Sequence, residues 1–347
     1  MSTKDISKLI NLRHFAIESL KVSELKKKTT TSQLGKLGAG GQYNSAIFSN
    51  WYSTLTNIVQ ISLGRCHGLK YLSPLERLPY LKSLTLYYLD ELEFIYYEEP
   101  LSSESFFPSL ETVRLIDCKK LRGWRKMRDD LNDDDDHSSQ SYYLSFPRLS
   151  QLSILSCFSM THMPAFPKVK DLYLTFSRVK VLMEATLNMV GSKCSIEFPP
   201  FSMLKFLEIG GYTMDLKNLR KDRLQNLTSL NHLSLCLLSA QNFQEIEICI
   251  KNTPNYLPLL RKITIRDCLE LMALPDWICN ISSLHHIYIE SCDCLTLLPE
   301  GMSRLTNLQT LEITKCPLLL EECETQTSAT WPKIAHIPNI ILKRSSY

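Results

Sequence analysis

Leu260-x-x-Ile263-x-Ile265-x-x-Cys268, Leu284-x-x-Ile287-x-Ile289-x-x-Cys292 and Leu308-x-x-Leu311-x-Ile313-x-x-Cys316 write one pattern three times, and their middle apolar positions, 263, 287 and 311, stand 24 residues apart. Earlier copies run Ile58/Ile61/Leu63/Cys66, Leu81/Leu84/Leu86, Leu110/Val113/Leu115/Cys118 and Leu149/Leu152/Ile154/Cys157. Looser ones stand at Val169/Leu172/Leu174, Leu204/Leu207/Ile209 and Leu230/Leu233/Leu235, and a first marker falls at Phe15. The 46-residue gap between Phe15 and Ile61 is expected to hide a degraded copy around Leu34.

Most steps between markers are near the roughly 20–29 residues of a leucine-rich repeat. In apolar-x-apolar the two apolar side chains of a short strand point one way and the residues around them the other. The Cys slot, five residues after the marker, suits a small buried side chain where the chain bends away. The pairs Leu274-Pro275 and Leu298-Pro299 are expected to break any helix and keep the outer side irregular. An amphipathic-helix reading fails, because the apolar-x-apolar step would put two side chains on opposite helix faces. The expectation is an α/β leucine-rich-repeat solenoid, a horseshoe with a concave parallel β-sheet and a mostly irregular convex side. It should form one domain over 1–347 of about 11–12 repeats, with a cap and tail at 325–347.

Composition agrees. The chain has 347 residues, 44% of them hydrophobic, so it is long enough to bury a core without disulfide staples. A net charge of +3 gives no global drive toward nucleic acid or an anionic membrane, and neither is expected as a partner. Charges interrupt the apolar pattern of MSTKDISKLINLRHF, so no signal peptide is expected, and no apolar run approaches the roughly 20 residues that cross a bilayer. The expected location is the cytoplasm, where the 12 cysteines stay free thiols. The run Asp129-Asp130-Leu131-Asn132-Asp133-Asp134-Asp135-Asp136 repels itself and is expected to make 125–145 a solvated, disordered loop. It lacks the alternating acids of a calcium loop.

Catalytic grammar is missing. Gly38-Ala39-Gly40-Gly41 has no following lysine for a phosphate loop, and H-E-x-x-H and G-x-S-x-G do not occur. His285 and His286 alternate across a strand and cannot share a metal, with His286 facing outward. Cys292-x-Cys294 resembles half a zinc site, but Cys292 fills the same slot as Cys66, Cys118, Cys157, Cys268 and Cys316. Asn226 and Asn280 match the glycosylation pattern by coincidence. No enzyme activity, cofactor or metal is expected.

Binding is expected on the outward residues of the strand ladder. Tyrosine and arginine are enriched at binding hot spots, which singles out Tyr87, Arg114, Tyr173, Arg266, His286 and Tyr288. Glu208, His232, Lys262, Glu290 and Glu312 share that face. Residues 1–70 carry 10 Lys and Arg against 3 Asp and Glu, a basic end containing Lys26-Lys27-Lys28. With the first coil starting near Met1 and no polar cap before it, this end is expected to pack on another domain or chain.

The wording of the repeats resembles the leucine-rich-repeat region of plant nucleotide-binding disease resistance proteins of the coiled-coil class. Gly40-Gly41, Phe48-x-x-Trp51 and LTNIVQISLGRC are similar to one passage of that family, LKYLSPLERLPYLKSLTL (69–86) and FFPSLETVRLIDCKKLRGW (106–124) to two further coils. The stretch from LPDWICN to KCPLL (274–319) looks like its C-terminal coils, and WPKIAHIP (331–338) like its cap. The resemblance implies sensing of a pathogen effector or a guarded host protein, and autoinhibition of a nucleotide-binding module, in cis or in trans, through the basic end. Full members carry a signalling domain and that module ahead of the repeats. Neither is found here, so nucleotide binding is assigned to no residue. The other reading is a ubiquitin-ligase substrate adaptor or stand-alone interaction scaffold. An adaptor needs a helical recruiting box, and repeats that begin by residue 6 leave no room for one.

Overall fold

The computed structural model describes residues 13–17, 20–21, 57–72, 75, 78–96, 107–125, 146–161, 163, 166–177, 201–212, 216, 227–250, 256–325 and 328–344. The chain divides into two compact units, Met1–Lys168 with Glu184–Ile196, and Val169–Met183 with Glu197–Tyr347. The expected degraded repeat at Leu34, Lys26-Lys27-Lys28 and residues 126–145 of the acidic loop lie outside the described residues.

Unit one carries β1 (His14–Ile17), β2 (Leu20–Lys21), β3 (Gln60–Gly64), β4 (Cys66–His67), β5 (Ser83–Tyr87), β6 (Phe94–Tyr96), β7 (Thr112–Ile116), β8 (Gly123–Arg125) and β9 (Gln151–Leu155). Its main ladder is parallel in the order β1-β3-β5-β7-β9. Two small parallel pairs, β2 with β4 and β6 with β8, flank it. Unit two carries β10 (Asp171–Thr175), β11 (Phe206–Gly210), β12 (His232–Cys236), β13 (Lys262–Arg266), β14 (His286–Glu290), β15 (Thr310–Thr314) and β16 (Asn339–Lys343), all parallel and in sequence order. The markers fall in one register, Ile61 beside Leu84, Val113 and Leu152 in unit one, and Leu172 beside Leu207, Leu233, Ile263, Ile287 and Leu311 in unit two.

A parallel ladder needs a crossover between each pair of strands, and here the crossover is one coil. The buried positions of a coil extend past the four-residue template. Around Val113 they are Phe107, Leu110, Val113, Leu115, Cys118, Leu121 and Trp124, each at most 2% exposed. Around Ile287 they are Ile281, Leu284, Ile287, Ile289, Cys292, Leu295 and Leu298. Outside the strand the step is three, and tight turns before and after the strand close two of these steps in each coil. Leu110 N–H donates to Phe107 O and Leu121 N–H to Cys118 O, and the same bonds recur from Leu284 to Ile281 and from Leu295 to Cys292.

The bend after each strand has a defined origin. Arg65, Tyr88, Asp117, Ser156, Phe176, Leu237, Asp267, Ser291 and Lys315, four residues past the markers, have φ between 49° and 56°, and Gly211 takes the slot in one coil with φ 127°. Left-handed backbone is costly for a residue with a Cβ. Here the turn aims the amide at the carbonyl of the next coil: Asp117 N–H reaches Leu155 O at 2.8 Å and Asp267 N–H reaches Glu290 O at 3.0 Å. The cysteine that follows is buried, as expected, and its Sγ–H donates to the carbonyl two residues back, as in Cys66 to Gly64, Cys268 to Arg266 and Cys316 to Thr314.

Opposite the sheet the structure is more regular than the Leu-Pro pairs suggested. Pro275 and Pro299 do not merely interrupt: each stands at φ −65° directly before a 3-10 turn, Asp276–Asn280 and Glu300–Arg304, whose first turn does not need the missing N–H. After β12 runs α1 (Ala240–Ile250), opened by a reciprocal cap in which Ser239 and Asn242 exchange side-chain and backbone bonds. The short helices α2 (Pro317–Glu324) and α3 (Trp331–Ile334) precede β16, so the C-terminal segment adds a strand to the ladder where the sequence suggested a cap and tail.

Candidate functional site

Strand alternation leaves three rows of side chains on the outward face of each ladder. In unit two the opening row runs Asp171, Phe206, His232, Lys262, His286, Thr310, the middle row Tyr173, Glu208, Ser234, Thr264, Tyr288, Glu312, and the closing row includes Cys236, Arg266, Glu290, Thr314 and Lys343. Nine of the eleven residues singled out from the sequence lie on this face, from Tyr173 to Glu312, and cross-strand contacts tie most of them together.

At one end, the Tyr173 and Phe206 rings lie 4.7 Å apart, and His232 meets Phe206 edge-on at 4.8 Å. His232 Nε2 is 2.9 Å from Thr264 Oγ1. Burial, with Lys262 and Arg266 alongside, holds the His232 pKa down to about 4, so the ring is neutral at pH 7. In the middle, Arg266 donates to Glu208 Oε2 at 2.7 Å, and Ser234 Oγ–H donates to the same oxygen at 3.0 Å. Tyr288 O–H donates to Glu290 at 2.8 Å, and burial beside that carboxylate raises its pKa to about 12. Glu290 also meets Lys315 at 3.4 Å, and Glu312 meets Lys343 at 2.7 Å. His286 stands 3.9 Å from Glu312, beyond hydrogen-bond range, and burial with Lys262 lowers its pKa. Lys262 pairs with none of the described residues.

Ser234 and Thr264 stand in the middle row, yet they are 1% and 6% exposed, because longer side chains of the adjoining strands close over them. Phe206, Ser234, Lys315 and Lys343 belong to the network although hot-spot chemistry alone did not single them out. Lys343 was legible in Ile340-x-Leu342, an apolar-x-apolar step at the head of the register.

Tyr87 and Arg114 lie in unit one. Tyr87 lies across Gly64 of the neighbouring strand, where a Cβ would stand 2.0 Å from its Cζ. Its ring also meets Tyr88 edge-on, and the Arg65 guanidinium lies 5.4 Å above the Tyr88 ring. Arg114 is exposed between Thr85 and Ser153. His285 and His286 do alternate: His285 Nδ1 lies 2.8 Å from Ser283 O, at the lip of the strand. Among the described residues no group of three or more His, Cys, Asp or Glu is placed to hold a metal, and no helix is long and apolar enough to cross a membrane.

These coils and the rows they present define a leucine-rich-repeat solenoid with a parallel sheet. Within that class, residues 11–89 match the family model described as R13L1/DRL21 LRRs, which supports the resemblance of the repeats to those of plant resistance proteins. No curated protein sequence matches the chain. Among solved structures it is similar to the one titled "Crystal structure of TLR13-ssRNA13 complex", with 17% identity and a TM-score of 0.43 over 78% of this chain and 39% of that one. It is also similar to the leucine-rich repeat domain of the type III effector XCV3220 (XopL), with 18% identity and a TM-score of 0.39 over 80% and 77% of the two chains. The chain thus spans well under two thirds of the TLR13 chain it matches.

Proposed function

We propose that the chain recognises protein through the outward face of its sheet ladder, as the sensing region of a plant intracellular immune receptor. The recognised partner is a pathogen effector or a guarded host protein. The basic N-terminal end contacts a nucleotide-binding module, in cis or in trans, and restrains it in the cytoplasm. The observation that supports recognition is the order of the unit-two face. Its charged and aromatic groups are held by cross-coil bonds such as Arg266–Glu208, Lys315–Glu290 and Lys343–Glu312, and by the Tyr288–Glu290 bond within β14. Side chains already fixed in one geometry lose little further entropy when a partner lands on them.

A photo-crosslinking residue placed at Tyr288, at Arg114 and, on the opposite side, at exposed Met272 tests the reading in the full chain expressed in plant cells. Protein adducts from the first two positions and none from Met272 are expected. Adducts from Met272 alone, or from no position, sink it.

A further inference from the structure

The residue before each strand of unit two and the residue that opens it lie along one edge of the sheet. Four cations gather there, Lys170, Lys205, Arg261 and Lys262, against one carboxylate, Asp171. Their backbone is fixed: Lys170 O, Lys205 O and Arg261 O each accept two amide hydrogens from the following coil. Parallel strands are about 4.8 Å apart, so the edge positions form a line rather than a scatter. Lys170, Lys205 and Arg261 are exposed, Lys262 is half-buried, and none has an ion-pair partner among the described residues. Cations at the opposite, strand-exit edge are neutralised, Arg266 by Glu208, Lys315 by Glu290 and Lys343 by Glu312.

An edge with unspent positive charge attracts an anion. What kind of anion follows from its surroundings. Glu208, Glu290 and Glu312 lie two to four residues further along the strands, about 7–14 Å away, already paired with Arg266, Lys315 and Lys343, so the unpaired positive charge is confined to the entry edge and does not continue across the sheet as a continuous polyanion would need. The Tyr173–Phe206 pair offers an apolar surface beside the cations. A protein segment with a short run of acids next to an apolar residue meets both conditions.

We propose that the strand-entry edge of unit two docks an acidic segment of the protein partner, its carboxylates set on Lys170, Lys205, Arg261 and Lys262 and an apolar side chain against Tyr173 and Phe206. This rests on the sheet face being a protein-recognition surface, and it specifies the chemistry recognised there.

The test uses the full chain and a short fluorescent peptide carrying four adjacent glutamates beside a leucine and a tyrosine. Its counterparts are the same peptide with lysines for glutamates, and a single-stranded oligonucleotide. The variants are Lys170→Glu/Lys205→Glu/Arg261→Glu/Lys262→Glu and a control at the exit edge, Lys315→Glu/Lys343→Glu, each checked for an unchanged fold by circular dichroism. The acidic peptide should bind, weaken with added salt, and lose about tenfold or more in affinity in the fourfold variant but not in the control. Equal binding of the lysine peptide, tighter binding of the oligonucleotide, or loss in the control alone overturns the proposal. If the acidic peptide does not bind while crosslinks still form at Tyr288 and Arg114, the acidic segment is wrong and protein recognition stands. If neither is seen, both fall.

Discussion

Arg266 reaches back over β12 to Glu208, 58 residues earlier in the chain, and the two charges meet at 2.7 Å above a serine that is 1% exposed. The partners are unequally placed, the Arg266 side chain 37% exposed and that of Glu208 15%. Water can replace Glu208 for the arginine but cannot fully replace Arg266 for the carboxylate. Arg266→Ala should therefore cost about 1–3 kcal/mol and Glu208→Gln less, since a neutral amide still accepts from Ser234. In urea denaturation the double variant should lose less than the sum of the two. Strict additivity would show that the pair is not coupled.

His232 gives the face a pH dependence. Its pKa falls to about 4 in the fold, from an ordinary value near 6.5, because burial and the Lys262 and Arg266 charges disfavour the imidazolium. Between those two values the unfolded chain takes up a proton that the folded chain refuses. Stability is full above pH 6.5 and falls as the pH drops through this window toward 4. Melting temperatures measured across it should decline less steeply for His232→Gln than for the unaltered protein. Parallel curves would mean that His232 is not the group responsible.

The strand ladder was legible because it depends on one-dimensional information. Apolar-x-apolar fixes which side chains face in, and a constant coil length brings Ile263, Ile287 and Leu311 into register. What lay hidden depends on neighbours that are distant in sequence. Nothing local marks Ser234 as buried; Glu208 and Arg266, one strand to either side, cover it. The left-handed step was hidden for another reason: Asp117 and Ser291 tolerate it, but Tyr88 and Leu237 adopt it as well, held by a bond to the next coil. Sequence preference is weak where tertiary bonding decides. The helix after β12 has a readable signal in the Ser239–Asn242 spacing.

Gly64 and Gly210 occupy the same slot, three residues past the markers at 61 and 207, yet they should respond differently to a methyl group. At Gly64 the three atoms nearest the added Cβ all belong to the ring of Tyr87, at 2.0–2.6 Å, and that ring can swing away. At Gly210 it would meet Cys236 Sγ at 2.3 Å and the Cys236 carbonyl oxygen at 2.6 Å, and the latter is backbone held in the ladder. Gly64→Ala should cost about 1 kcal/mol or less, with Tyr87 displaced from the face. Gly210→Ala should cost about 2–3 kcal/mol through overpacking. Thermal denaturation of the two variants checks the order, and an equal loss would mean the Tyr87 ring is locked in place.

The cysteine column separates acidity from access. All ten cysteines whose side chains are described are free, and nine are buried, Cys294 being the exposed one. Burial raises Cys236 and Cys279 to about 11 and Cys323 to about 12, which suppresses the reactive thiolate. Cys118 and Cys268 go the other way, lowered by hydrogen bonds from the stacked thiols of Cys157 and Cys292, yet both are 0% exposed. Alkylation of the native protein near pH 8, mapped by peptide mass spectrometry, should modify Cys294 first among these ten. Cys118 and Cys268 should label only at the rate of unfolding, so adding urea below the midpoint should accelerate them and leave Cys294 unchanged. If Cys118 or Cys268 labels as fast as Cys294 in buffer, thiol acidity outweighs burial and the column opens to solvent without unfolding.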